Sequence, residues 1–358
     1  MNLRRLLIAS TLLGGLVLLG AYVFRAPLSV AVAERLVVKR LSYDRLAELP
    51  DGLHVGLCGA GSPFPDEQRG GPCTLVVAGK RLFVFDAGNA SVRNIGKMNF
   101  NTGSIEAIFL THFHSDHLDG LGELMLQRWV SASNTQPVPV HGPEGVQQVV
   151  AGFMQAYAQD QHYRVVHHGD AIMPATGFGG RALPFKLGAD GRVVILKDGD
   201  LEITAFTVDH GPVHPAIGYV VRYKGRSLVL SGDTKKSAPV QREAQNVDLL
   251  VHEALSTPLM QTLQTAAGQA QRKNLQQIFL DVQNYHSSPE DAATIARDAK
   301  VGFLLLNHIA PPLPLPGMER AFLGQAHDIY SGTIKVGQDG DFVSLPIGSK
   351  DIAFKRGF

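Results

Sequence analysis

Between positions 108 and 120 the chain reads IFLTHFHSDHLDG, three histidines and two aspartates directly behind a short apolar run. Imidazoles and carboxylates this dense are costly to bury unless a bound species pairs them. The fold must therefore bring them to a rim where something is held. The pattern recurs along the chain: His210 follows LEITAFTV, Asp233 follows RSLVLSG, His252 and Glu253 follow DLLV, and His308 follows VGFLLLN. Each preceding run reads as a strand. Segments such as LDGLGELMLQRWV and EGVQQVVAGFMQAYAQD carry apolar residues at helical spacing. Further helices are expected within 258–283 and 289–299. Strand runs interleaved with such helices predict a layered α/β protein, and strand ends at one sheet edge are where such proteins bind ligands.

The spacing suggests a pair of metal ions. Around a tight loop, His112 and His114 can turn toward one ion while Asp116 and His117 turn toward another. His210 would complete the first site, His308 the second, and Asp233 would bridge them. Imidazole suits zinc, and a carboxylate can span two ions. Two Zn2+ ions are expected, with Mn2+ or Fe2+ as alternatives. Such a pair, about 3.5–4 Å apart, holds a hydroxide and polarises a phosphoryl, sulfuryl or carbonyl oxygen.

THFHSDH matches the His-x-His-x-Asp-His motif of the metallo-β-lactamase superfamily, and the resemblance runs from about residue 53 to 348. GAGSPFPDEQRGGPCTLVVAGKRLFVFDAG resembles the N-terminal signature of its ribonuclease Z and arylsulfatase-like branch. DHGPVHPAIGYVVRYKGRSLVLSGDT, LLVHEA, YHSS and LLLNH are similar to later signatures of that branch. The resemblance implies an αββα four-layer sandwich with a dinuclear, usually zinc, site, and it supports the ligand positions above. It also implies that Glu253 pairs with His286 to shuttle a proton. A histidine held by a carboxylate can protonate a leaving alkoxide or phenoxide, and Asp116 would orient the attacking hydroxide.

The N-terminus sets the compartment. Arg4 and Arg5 precede LLIASTLLGGLVLLGAYVF, an uncharged run over 6–24. That is long for a secretory signal and close to the ~20 residues of a membrane span. Residues 1–25 are therefore read as a membrane-anchoring helix, with a signal peptide cleaved near AVAE (31–34) and a secreted product as the alternative. The two arginines favour a cytoplasmic N-terminus, with the body beyond the inner membrane in the periplasm or outside the cell. Residues 26–52 read as a linker with a short helix, and 53–358 as the hydrolase domain. Cys58 and Cys73 could form a disulfide in an exported protein or be two small buried residues.

Other residues divide between bland and sharp roles. His252 is expected to support the site by hydrogen bonding rather than ligation. Asp86 is expected to anchor the metal loop, and His141 to be structural at a helix start. His167 and His168 read as exposed, and His214 as either pocket or surface. Trp129 and Phe153 read as core or substrate wall, and Arg69 as a solvated loop residue or an anion contact.

A net charge of +1 gives no electrostatic call for nucleic acid. The transfer-RNA-clamping arm that processing ribonuclease Z enzymes usually insert before the bridging aspartate has no room between His210 and Asp233. The expected function is thus hydrolysis of small phosphodiester or aryl sulfate esters by the bridging hydroxide. The expected partners are a small-molecule ester and the inner membrane rather than nucleic acid, with a homodimer left open. The alternatives are a ribonuclease Z-like RNA endonuclease, a β-lactamase and a catalytically silent metal-binding protein.

Overall fold

The structure is a computed structural model that describes residues 3–358. The chain divides into two compact units at Arg45/Leu46.

The first unit holds helices α1 (Leu3–Val23) and α2 (Arg25–Leu41). Every described side chain of α1 lies open, and its length and composition suffice to cross a membrane. The segment expected as a linker is largely helical, because α2 and a short turn at Arg45–Glu48 fill it. Met1 and Asn2, the first positions of the expected anchor, lie outside the described residues.

The second unit is built on two sheets. The first contains β1 (Gly52–Gly59), β2 (Cys73–Ala78), β3 (Arg81–Phe85), β4 (Ile105–Phe109), β5 (Val138–Gly142) and β6 (Gly180–Pro184), with β14 (Phe342–Pro346) and β15 (Ala353–Lys355) on its other edge. The second runs β7 (Arg192–Asp198), β8 (Leu201–Thr207), β9 (Ile217–Tyr223), β10 (Arg226–Leu230), β11 (Leu249–Leu255), β12 (Phe303–Ala310) and β13 (Thr333–Val336). The β9/β10 and β7/β8 pairs are antiparallel hairpins.

Strand alternation makes the layers. Leu57, Phe85 and Phe109 meet Tyr219, Leu228 and Leu305 between the sheets. The opposite faces, through Leu75, Val84 and Ile108 in one sheet and Val229, Leu250 and Leu304 in the other, pack beneath helices. Both faces of each sheet are buried, so the strands read as near-continuous apolar runs. The order helix, sheet, sheet, helix is the αββα sandwich implied by the sequence.

Some local expectations change. The segment 258–283 forms two helices, Thr257–Gln269 and Lys273–Asp281, broken where Gln271 takes a φ of 56°. His141 lies in β5, not at a helix start, with its ring stacked on Phe109 at 4.8 Å. Trp129 is fully buried and donates to Pro174 O, which makes it core; Phe153 is partly buried against the same helical layer. Cys58 and Cys73 are joined in a disulfide that links the end of β1 to the start of β2.

Candidate metal centre

The carboxyl ends of β3, β4, β10, β11 and β12 meet at one edge of the sandwich. The loop after β4 carries His112, His114, Asp116 and His117 and is held by close packing. A Cβ on Gly88, in FDAG, would lie 2.4 Å from Asp116 O, and one on Gly71, in RGGP, would lie 2.8 Å from that same oxygen. Only glycine at both positions lets these loops press against the histidine loop. Asp86, which takes a left-handed φ of 57°, ties the loop from below. It accepts from Thr111 N, Thr111 Oγ1 and His117 Nδ1, each at 2.8 Å.

His308 arrives by a different device. Glu253 pairs with Asn307 and Ala254 with Ile309, so His308 is an extra residue in the β11/β12 ladder. Its φ of 48° bulges the strand and turns the ring toward the histidine loop.

The seven sequence-predicted ligand positions come together in two groups. His112, His114, His210 and Asp233 form one, and Asp116, His117 and His308 the other, with potential ligand atoms within 4.8 Å of one another in each. Asp233 Oδ2 reaches both groups: it lies 3.1 Å from His308 Nε2, 3.2 Å from His117 Nε2, 3.8 Å from His210 Nε2 and 3.9 Å from His112 Nε2. His112 Nε2 and His114 Nδ1 stand 2.9 Å apart, and Asp116 Oδ2 is 3.3 Å from His308 Nε2.

This donor set fits metal. Ligands ~2.1 Å from one tetrahedral zinc stand roughly 3.4 Å from each other, which is the spacing seen here. The outer nitrogens are also fixed. His112 Nδ1 meets Thr111 Oγ1, His117 Nδ1 meets Asp86, and His210 Nδ1 donates to Tyr285 O, which leaves Nε2 of each ring facing inward.

The electrostatics differ between the groups. Burial drives His112 well below the ordinary imidazole value and His210 down to about 4. Burial also opposes charge on His117 and His308, but there the carboxylates outweigh it. Asp233, Asp116 and Asp86 hold His117 well above its usual range, and Asp233 and Asp116 raise His308 to about 9. That corner of the site favours a cation.

Glu253 and His286 meet beside the cluster. Glu253 Oε1 accepts from His286 Nδ1 at 3.0 Å, Thr234 N at 3.0 Å and Ser287 N at 3.1 Å. The His286 ring stacks on His308 with centroids 5.2 Å apart, and it shares a third potential ligand group with Asp233 and His308. Because Glu253 engages Nδ1, Nε2 is the nitrogen left for the cluster. Burial pushes the His286 imidazole down to about 4.

Other expectations sort themselves. Asp86 anchors the loop, as read. His252 joins none of the potential ligand groups; its Nδ1 bonds to Glu253 O at 2.7 Å, as a supporting residue would, and its Nε2 is buried with no protein partner among the described residues. Arg69 is neither solvated nor exposed; it is buried with Nε donating to Gly337 O and Nη1 3.4 Å from Asp66. His167, His168 and His214 are exposed. Thr111, Thr234, Ser287 and Tyr285 escaped the sequence reading, although each directly adjoins a flagged residue.

A family model described as the β-lactamase superfamily domain matches residues 81–309. Ribonuclease Z of Mycolicibacterium paratuberculosis is 35% identical over 289 residues, which cover 80% of this chain and 96% of that protein. The metallo-β-lactamase fold protein YhfI of Bacillus subtilis superposes with a TM-score of 0.58 at 19% identity, covering 82% of this chain and 100% of that one. The short form of human tRNase Z does so with a TM-score of 0.58 at 21% identity and the same coverages. At these identities the two structures speak for the fold.

Proposed function

From the premise that this chain belongs to the β-lactamase superfamily, as a metallo-β-lactamase-fold hydrolase, we propose that it is a metal-dependent phosphodiesterase acting on RNA. The observation that carries the chemistry is one Asp233 oxygen shared among four imidazoles, with His286 held by Glu253 beside them. The substrate class rests on the relatives' name, ribonuclease Z. That name displaces the expectation against nucleic acid and favours the phosphodiester bond over the aryl sulfate.

His112, His114, His210 and Asp233 would hold one zinc, and Asp116, His117, His308 and Asp233 the other. Bound there, the metals supply an acidified water and a Lewis-acid contact to the phosphoryl group. Asp116 orients the attacking water, and Glu253 fixes the His286 ring so that Nε2 faces the scissile group. His286 takes up at Nε2 the proton that the attacking water loses and passes it to the leaving oxygen as that bond breaks. Glu253 stabilises the charged imidazole that this cycle requires.

A small phosphodiester is the second reading. The His210–Asp233 connection is filled by the β9/β10 hairpin, which leaves no clamping arm there. The test is hydrolysis of an RNA oligonucleotide, bis(p-nitrophenyl) phosphate and p-nitrophenyl sulfate by the full chain in detergent, with and without chelator. The expected result is chelator-sensitive cleavage of both phosphodiesters. Cleavage of only the small diester would establish the second reading, and preference for the sulfate would overturn both.

For the location, we infer that α1 serves as an uncleaved anchor with the body on the exported side. Arg4 and Arg5 and the Cys58–Cys73 disulfide support that side. Arg25, Arg35, Lys39 and Arg40 of α2 count toward the opposite orientation. Protease treatment of spheroplasts decides: the body should be digested from outside, and protection would reverse the assignment. A mature form starting near Glu34 would remove the anchor.

A further inference from the structure

The strands that bring Asp233, Glu253 and His308 to one edge begin, at the other, around a basic depression. It has a volume of about 740 Å³ and is lined by four cations, Lys224, Arg226, Lys300 and Lys350, against a single acid, Asp248. It lies at the start of β10 and just before the starts of β11 and β12. From Phe303 to His308 along β12 is roughly 17 Å at ~3.3 Å per residue, so this depression is separate from the metal centre.

Its cations are not equally engaged. Asp51 neutralises Lys224 at 2.7 Å, and Asp248 lies 3.3 Å from Arg226. Lys300 and Lys350 are exposed, and no described carboxylate pairs with either. Arg226 is only 4% exposed and fixes the floor. Its terminal nitrogens donate to Ser349 O and Asp351 O, while its buried Nε has no partner. Thus two ammonium groups without a described carboxylate partner line the same depression as a buried guanidinium paired with Asp248. Lys224 takes a left-handed φ of 44° in the β9/β10 hairpin turn, and Asn246 and Lys300 take theirs, 56° and 54°, just past helix ends, as such turns and caps require.

A smaller lobe of about 280 Å³ shares Lys224, Arg226 and Asn246 and adds Arg222 and Asp200. The combined surface can accommodate a ligand carrying more than one negative group.

We propose that this depression binds a phosphate-bearing anion, with Lys300 and Lys350 engaging its charges beside the buried Arg226. Compact ammonium groups on flexible stems act as point charges toward phosphate. The site is independent of the catalytic reading, because none of its residues belongs to the metal centre.

The test is a lysine-acetylation footprint of the full, metal-loaded chain in detergent, read residue by residue by mass spectrometry. Separate arms contain inorganic pyrophosphate, a short RNA oligonucleotide or phosphatidylglycerol vesicles. At saturation, acetylation of Lys300 and Lys350 should slow by about fivefold or more, while exposed Lys186, paired with Glu144 elsewhere, should be unaffected. Raised salt should erase the protection. Protection by pyrophosphate identifies a free anion, by RNA alone a nucleic-acid backbone, and by vesicles alone a lipid headgroup. A Lys300→Gln, Lys350→Gln variant should bind less of the protecting probe in equilibrium dialysis. Unchanged acetylation of both lysines in every arm at millimolar phosphate, or protection equal to that of Lys186, would overturn the site.

Discussion

The two halves of the metal centre share Asp233 but are built differently. His112, His114 and His210 come from loops, rest on the neutral partners Thr111 and Tyr285, and include one ring, His114, that is only partly buried. Asp116, His117 and His308 are all buried, with the Asp86 carboxylate behind His117 and no protein partner among the described residues on the outer nitrogen of His308. The first half offers neutral imidazole lone pairs, of which only that of His114 lies near solvent. The second is a closed, acid-rich corner that already favours positive charge. A ligand set can therefore be symmetric in number and still be asymmetric in what holds it.

The largest expected effect comes from removing what the halves share. Asp233→Asn should lower bound metal and reduce phosphodiester turnover by on the order of 1000-fold. Retention of both ions by elemental analysis would show that Asp233 does not unite the halves. Next comes the proton donor beside them. His286→Ala should slow substrates with poor leaving groups by about 100-fold or more and activated aryl diesters much less. Equal losses across leaving groups would assign His286 to positioning alone.

Asp86→Ala sharpens the comparison directly, since Asp86 touches His117 of the acid-rich half and reaches His112 of the other only through Thr111. Metal affinity in the acid-rich half should weaken by roughly 10–100-fold, and in the first half by less; equal loss from both would break the distinction. The smallest effect concerns an imidazole outside the centre. His141 is pushed down to about 4, first by burial and then by Arg181. The unfolded chain therefore takes up the proton first on acidification. Stability contributed by the neutral ring is complete above pH ~6.5 and is lost as pH falls toward 4, by about 2 kcal/mol for a ring that solvent partly screens. Urea unfolding across that range should show the loss, and His141→Gln should flatten it.

Much of this was legible because strand periodicity and ligand chemistry left their marks in the sequence. Apolar runs ended by histidine or aspartate placed the rim, and the spacing in THFHSDH divided its ligands between two groups. The Glu253–His286 pair came through family resemblance, and the two side chains meet. What escaped was set by backbone geometry. His252 and Glu253 are neighbours in β11, and successive strand side chains face opposite ways, so only the Glu253 side chain turns toward His286 while His252 bonds to the Glu253 backbone. The His308 bulge depends on the β11/β12 register, a property of two strands rather than one. Arg69 lies in a glycine-rich loop that suggested solvent, but Gly337 and Asp66 bury it. The basic depression at the strand starts has no contiguous motif, since its cations lie as far apart in sequence as Lys224 and Lys350.

The most direct test is a zinc titration of the metal-depleted full chain, following bis(p-nitrophenyl) phosphate hydrolysis and bound metal together. If both halves act as one centre around Asp233, turnover should remain low through the first equivalent and rise as the second binds. Full activity with a single equivalent, or turnover that persists without metal, would contradict the account.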